Sequence, residues 1–193
     1  MIPNFFKTHF LHALTQYKNY LLIYTDAFKT INGVGACFLT SHEHSIYKLS
    51  PETSIFTDEL SAIIKALTFI LKKKLPKSLI LLAVMTSISQ VYPSHPTLQQ
   101  IKLILYHIYQ NNLTVEFFWV PSHVGINGNE KAARSAVTST ASSVENLTVH
   151  LDLKPYLKAK LHDVWQNQWN TSNTKLVEIK SSVLPWNFWP PKR

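Results

Sequence analysis

The chain has 193 residues, a formal net charge of +8, 46% hydrophobic and 12% aromatic residues. That composition can form a core and excludes a wholly disordered chain, and four glycines without a repeat exclude a collagen-like one. The single cysteine, Cys37, excludes a disulfide framework and a cysteine-rich zinc module, and favours a reducing compartment. The length predicts one domain with an appendage, or two small domains.

The basic excess consists almost entirely of lysine, since only Arg134 and Arg193 are arginines. Lysine is a point charge without a fork for base recognition, so the charge favours contacts with a phosphate backbone, although an ordinary basic surface remains open. The best apolar run, 79–85, is too short to span a membrane, and residues 1–20 lack a clean signal-peptide core. We therefore expect an intracellular protein, in the cytoplasm or nucleus, that is neither secreted nor bound to a membrane. The oligomeric state is left open, with a monomer favoured.

Three strands come first along the chain. Residues 21–25 form a short β-prone run that ends at Asp26. Asn32-Gly33 is a strong hairpin turn signal, and residues 34–40 and 45–49 read as the second and third strands. Short connections between successive strands predict an antiparallel meander.

The spacing of apolar residues then changes from that of strands to that of helices. Thr57 is a plausible N-cap, and apolar residues follow at helical spacing up to Lys72 and the stop at Pro76. Further elements are predicted as a strand at 79–84, a helix at 98–108, a strand at 115–120 and a short helix at 129–137. The order β-β-β-α-β-α-β-α predicts an α/β fold, with a mixed five-stranded sheet and helices on both faces.

Beyond the sheet, the chain is predicted to have a helical tail. Residues 138–149 are rich in Ser and Thr and read as a linker, and a helix with apolar residues at 153, 157, 161 and 164 follows. We expect Trp165 to pack this helix onto the sheet domain, with base stacking or a partner protein as alternatives. The predicted organisation is a leader at 1–18, a domain at 19–141, and a linker with a basic, Trp-containing tail at 142–193.

Two acids are candidates for metal chemistry. Asp26 ends the first strand, and Glu59 has Ala62, Ile63 and Ala66 as same-face neighbours, so it points toward the sheet. A strand-end carboxylate that faces a helix carboxylate can hold a divalent cation. A turn-opening role for Asp26 and a helix-dipole role for Glu59 remain open.

The most specific stretch is Trp119 to Glu130 (WVPSHVGINGNE), which places His123 in a glycine-containing loop after a strand. A histidine there can move protons near neutral pH, although a lone loop histidine is also common as plain surface.

Together with two earlier segments, the stretch Trp119 to Glu130 resembles the type 1 ribonuclease H domain of non-LTR (jockey-like) retrotransposon polyproteins. The earlier segments are IYTD at 23–26 with NGVGA at 32–36, and SIFTDEL at 54–60. The segment 152–180 is similar to the one that follows that domain in these elements. The resemblance implies a ribonuclease H-like fold and an endonuclease (a hydrolase) that cleaves the RNA strand of RNA/DNA hybrids, with Mg²⁺ or Mn²⁺ held by four carboxylates. It assigns catalysis to Asp26, Glu59 and His123, and metal binding to Asp26 and Glu59.

The other two carboxylates depart from the family pattern. Thr86 stands where the third is expected, and Ala133 stands where the fourth is expected. Glu130 is a weak substitute only. We therefore expect a degenerate copy that binds RNA/DNA hybrid or other nucleic acid with impaired activity. A non-catalytic nucleic-acid-binding or protein-interaction module derived from a retroelement is the alternative.

Overall fold

The computed structural model describes residues 2–30, 33–82, 88–89, 93–120, 126–128, 130–132, 144–145 and 149–185. The chain divides into two compact units, Met1–Val149 and His150–Arg193. The strands of the first unit are β1 (Leu21–Thr30), β2 (Gly33–Leu39), β3 (His44–Leu49), β4 (Lys77–Leu82), β5 (Thr114–Trp119) and β6 (Val144–Glu145). Its longer helices are α1 (Ile2–Leu14), α2 (Ile55–Lys73) and α3 (Pro96–Gln110).

These strands form one mixed sheet in the order β5-β4-β1-β2-β3-β6. The pairs β1–β2 and β2–β3 are antiparallel, whereas β4 is parallel to both β1 and β5. The predicted meander, the crossovers and the five-stranded mixed sheet are therefore confirmed.

The sixth strand corrects the prediction of a continuous linker at 138–149. Val144 and Glu145 pair in parallel with Lys48 and Leu49 of β3. Two residues are too short to carry an alternating pattern, and the pairing depends on the free edge of β3 rather than on local sequence.

The first strand is longer than predicted, because its antiparallel partner continues past the polar residue. β1 runs through Asp26 to Thr30, and its pairing with β2 extends from Tyr24↔Leu39 to Thr30↔Gly33. Asn32, the predicted turn residue, lies outside the described residues. The longer hairpin places Asp26 within a paired strand rather than at its end.

Helices cover both faces of the sheet, as predicted. On one face, α2 and α3 pack on Ile23, Ile80 and Leu82. On the other face, Phe10 of α1 packs with Leu81 and with Val120 just after β5. Because alternate residues of β4 enter opposite cores, its near-continuous apolar sequence is explained by burial on both sides. Each fully buried Leu or Ile contributes about 1.5–3 kcal/mol.

The N-terminal stretch is helical and is tied to β5 by a hydrogen-bonded cluster. Tyr17 and Tyr20 donate hydrogen bonds of 3.1 and 2.7 Å to the two carboxylate oxygens of Glu116. Their rings meet edge to face with centroids 5.2 Å apart. The pKa of both tyrosines is raised, first by these hydrogen bonds.

The α2 helix begins one turn earlier than predicted. Ser54, not Thr57, is the N-cap, since the Ser54 hydroxyl accepts a 3.2 Å hydrogen bond from the Thr57 N–H. The predicted cap was wrong because Ser and Thr both suit this position and the two lie three residues apart. The earlier start buries Thr57, Asp58 and Glu59 in the first two turns of the helix.

The second unit contains α4 (His150–Thr171) and α5 (Leu176–Ile179). The segment after α5 returns along α4: Trp169 Nε1 donates to Lys180 O at 2.7 Å, and Gln166 Nε2 donates to Ser181 O at 2.8 Å. The predicted contact of Trp165 with the sheet domain would join the two units and stays a prediction. Across the described residues, none of the helices combines the length and the apolar character that crossing a bilayer requires.

Candidate active site

Asp26 lies in the middle of β1, opposite Cys37 of β2. It is partly exposed, and its Oδ1 accepts a 3.0 Å hydrogen bond from the N–H of Ala27. Its neighbours at two-residue spacing, Tyr24 and Phe28, pack with Cys37 on the sheet face away from α2. Strand alternation therefore places the carboxylate at the surface of this second face.

Glu59 approaches the same strand from α2. Only 8% of the residue is exposed, and burial raises the pKa of its carboxyl to about 8. The nearby charge of Asp26 is the second-largest cause of this rise, and the charge of Asp58 is the third. Hydrogen bonding to the backbone of Ala27 opposes the rise. The Ala27 peptide thus interacts with both carboxyls, Asp26 directly and Glu59 from the helix side.

Asp58 is a further acid beside Glu59 in the first turns of α2. It is completely buried, and burial raises its pKa to about 7. Lys29 and the backbone of Phe28 lower the pKa, but neither carboxylate oxygen makes a hydrogen bond of normal geometry within the described residues. The same-face pattern that pointed Glu59 inward gave no signal for Asp58, which is one residue earlier in the helix.

Lys29 joins the strand to the start of the helix. Its ammonium donates a 2.6 Å hydrogen bond to Thr53 O, in the turn that precedes α2. The cation also lies near enough to Asp58 to lower the pKa of that carboxyl. Lys29 therefore fixes the N-terminal end of α2 against β1, which positions Glu59 relative to Asp26.

The chain after β5 also lies next to the candidate site. Residues 127, 128 and 130–132 are helical, and the Glu130 N–H donates to Ile126 O at 2.9 Å. Ala132 is buried, and its carbonyl accepts a 3.0 Å hydrogen bond from Cys37 Sγ. Because Cys37 pairs with Asp26 in the sheet, this segment passes over the neighbourhood of the strand carboxylate.

Several predicted site residues cannot be compared with the structure. His123, Thr86 and Ala133 lie outside the described residues. Glu130 is described and is partly buried. In the described part of the chain, no group of three or more His, Cys, Asp and Glu residues is arranged to hold a metal ion.

The unpartnered oxygen of Glu59 and the nearby charge of Asp26 make these two carboxyls the candidates for holding a divalent cation. Glu59 Oε2 is buried and has no hydrogen-bond partner among the described residues, and the two like charges repel. Oxygen ligands without a counter-charge are what Mg²⁺ and Mn²⁺ bind, and Mg²⁺ completes its shell with water or substrate phosphate. Asp26 and Glu59 are the residues that would hold it.

The arrangement defines the class of fold. The order of the five long strands, their directions and the helices on both faces make this a ribonuclease H-like fold. No protein-family model and no curated protein matches the chain. Among solved structures, it is similar to ribonuclease H1 from the halophilic archaeon Halobacterium salinarum NRC-1, at 15% sequence identity and a TM-score of 0.46. That match covers 61% of this chain and 95% of the archaeal one.

Proposed function

We propose that this chain is a ribonuclease H-like domain that binds RNA/DNA hybrids and is impaired in hydrolysis of the RNA strand. The observation that carries the proposal is the pairing of Asp26 and Glu59, two buried or half-buried carboxyls from different elements whose charges interact. Such coupled, perturbed carboxyls are typical of functional sites. The sequence resemblance supplies the substrate class, and we infer that the chain derives from a copy of a retrotransposon polyprotein.

A bound Mg²⁺ or Mn²⁺ would polarise the scissile phosphate and help to generate the attacking hydroxide. The chain's own part is to present Asp26 and Glu59 as oxygen ligands and to keep Glu59 away from bulk water. Glu59 has a pKa of about 8, so it must lose a proton when it becomes a ligand. By resemblance, His123 moves a proton at the leaving group.

The impairment follows from charge. Four carboxylates neutralise two divalent cations, whereas Asp26 and Glu59 neutralise only one. A substrate phosphate can compensate part of the deficit, which keeps binding possible while weakening the alignment of water and phosphate. Loss of one preorganised electrostatic contact typically costs about 10²–10³ in rate, and two contacts are replaced by Thr86 and Ala133.

The experiment that tests this function separates binding from cleavage. We expect the full chain to bind a labelled RNA/DNA hybrid at low salt and to cleave it slowly in Mg²⁺ or Mn²⁺. Any cleavage must disappear in Asp26→Ala, since activity indifferent to that substitution comes from a contaminating nuclease. Absence of hybrid binding at low salt would refute the proposal.

One observation favours a second candidate, a protein-interaction role for the tail. On α4, Leu157, Leu161, Val164 and Trp165 are each between 48% and 59% exposed, at helical spacing on one side. Exposed apolar helix faces often mark protein contacts. A Leu161→Lys variant that leaves hybrid affinity unchanged but abolishes self-association or partner capture would support this candidate; unchanged association would refute it.

A further inference from the structure

A cleft in the second unit, His150–Arg193, is lined by two tryptophans. It lies between α4 and the chain that follows this helix, and it has a volume of about 370 Å³. Its lining includes Trp165, Trp169 and Ser172 of α4, together with Leu176 and Val183 from the chain beyond. We call it the tryptophan cleft. Its size and its mainly apolar lining with a few polar groups are those of a ligand pocket.

Hydrogen bonds hold the walls of the tryptophan cleft in place. Trp169 Nε1 donates to Lys180 O at 2.7 Å, which sets the orientation of that indole ring. Gln166 Oε1 accepts a 3.0 Å hydrogen bond from Val183 N, which holds the returning segment against α4. Trp165 is 54% exposed, so one indole of the cleft is open to solvent. A planar group can stack on it at little cost in conformational entropy, because the surroundings of the ring are already ordered.

Lysines continue the face of α4 that carries the tryptophans. Lys158 and Lys154 are exposed and lie seven and eleven residues before Trp165, so all three share one face at 3.6 residues per turn. The acids of α4, Asp152 and Asp163, lie on roughly the opposite side of the helix by the same periodicity. From Lys158 to Trp165 the helix rises about 10 Å, which about three stacked nucleotides span at about 3.4 Å per step.

Charge indicates a polyanion as the partner of this face. Residues 150–193 contain seven Lys and Arg residues and three acids, and residues 1–149 contain twelve and eight, so each unit has a net charge of +4. The first unit therefore offers no net complementary charge to these lysines, whereas phosphates do. An apolar protein partner would use Trp165 and leave the two lysines without a role. An aromatic platform beside a line of cations is typical of surfaces that bind single strands.

We propose that the tryptophan cleft and the lysines of α4 bind single-stranded nucleic acid, with an unpaired base stacked on Trp165 and backbone phosphates at Lys158 and Lys154. This is a second nucleic-acid site, in a different unit from Asp26 and Glu59, and it does not depend on hybrid binding there. Because every base has a π face, the contact tolerates any sequence. A base inside a duplex has both faces covered by its neighbours, so the site prefers single strands.

Binding of a labelled oligouridine RNA of about 12 nucleotides to the full chain tests the stacking contact. Trp165→Leu keeps an apolar side chain without a ring, and we expect it to weaken binding about 5- to 100-fold, the loss of about one base stack. Trp165→Phe keeps a ring and should retain most of the affinity. Oligothymidine DNA should lose affinity in the same proportion, because stacking does not use the 2′-hydroxyl. An abasic strand should bind wild type and Trp165→Leu equally.

Lysine variants test the phosphate contacts. Lys158→Gln should make the slope of log affinity against log salt shallower by about 0.7, the value for one phosphate of a single strand. Lys160→Gln is the matched control, since it removes the same charge from roughly the opposite side of α4, where Lys160 Nζ lies 5.8 Å from the ring centroid of Tyr156. It should leave the slope unchanged. An equal change of slope in both variants would mean unspecific attraction to a basic unit and would overturn the phosphate contact.

The remaining outcomes separate the possible failures. If wild type does not bind the RNA at low salt, or Trp165→Leu binds it as tightly as wild type, the inference is overturned. In the second case, a lower melting temperature or lost self-association of Trp165→Leu would assign the cleft to the first unit or to a second copy. An equal loss on a blunt-ended RNA/DNA hybrid overturns base stacking, because that hybrid has no unpaired base. If wild type binds the RNA but no hybrid, the proposed function fails and this inference stands.

Discussion

The carboxyl of Glu59 on α2 is buried close enough to Asp26 on β1 for the charge of Asp26 to raise the pKa of Glu59, beyond the increase due to burial. The peptide of Ala27 interacts with both groups, with a 3.0 Å hydrogen bond to Asp26 Oδ1. This relationship links a strand in the centre of the sheet to the first turns of the helix packed on it. It gives the molecule a place where a cation is electrostatically favoured.

Glu59 makes the stability of the metal-free protein depend on pH. Its pKa is raised from 4.5 to about 8 in the folded chain, so between these values the folded state binds more protons than the unfolded state. The free energy of unfolding therefore falls as pH rises from about 4.5 to 8. Glu59→Gln should remove at least about 1.4 kcal/mol of this fall, the equivalent of one pKa unit.

Urea unfolding at pH 5 and pH 8.5 in EDTA measures this difference. Asp58, whose pKa is also raised to about 7, contributes a fall of its own in both proteins, so the comparison measures the difference that the Glu59 carboxyl makes. An identical fall in wild type and Glu59→Gln would show that Glu59 is not protonated in the folded protein.

Mg²⁺ should stabilise the folded chain through the two carboxylates. At a free concentration ten times the dissociation constant, one site adds about 1.4 kcal/mol. We expect a rise in melting temperature for wild type at pH 8.5, and none for Asp26→Asn or Glu59→Gln. Asp58→Asn is the matched control and should keep the response, because its carboxyl faces Lys29 and Phe28. A full Mg²⁺ response in Asp26→Asn would place the cation elsewhere.

A substitution at Gly128 tests how the segment after β5 packs against β1, the strand that carries Asp26. A Cβ at position 128 would overlap the ring of Tyr24. Gly128→Ala should therefore destabilise the protein by about 1–3 kcal/mol, as measured by denaturant unfolding.

A Tyr24→Leu background supplies the control for that prediction. The shorter side chain removes the overlap, so Gly128→Ala should cost less there, and Asn127→Ala at the exposed neighbouring position should cost little in either background. An equal cost of Gly128→Ala in both backgrounds would mean that the glycine is needed for its backbone and not for space.

Most of the fold could be predicted from the sequence, because its signals are local. Alternating and continuous apolar patterns gave the five long strands, and helical spacing gave α2 and α3. Strand β6 could not be predicted, since two residues pair only because the edge of β3 is open. The cap at Ser54 was missed because the local pattern fits Thr57 equally well.

The candidate site was predicted in part. The orientation of Glu59 follows from its same-face neighbours, and a strand-end acid opposite a helix acid predicts its pairing with Asp26. The burial of Asp58 and the bond from Lys29 to Thr53 O could not be predicted, because both depend on how closely α2 approaches β1.

The central proposal for this chain is a hybrid-binding ribonuclease H-like site with an incomplete set of carboxylates. The most direct test is cleavage of a labelled RNA/DNA hybrid in Mg²⁺ and then Mn²⁺ by wild type, by Asp26→Ala and by the double variant Thr86→Asp, Ala133→Asp. We predict that the double variant cleaves at least about 10²-fold faster than wild type, and that Asp26→Ala is inactive. Asp26-dependent cleavage by wild type at the rate of the double variant would contradict this proposal.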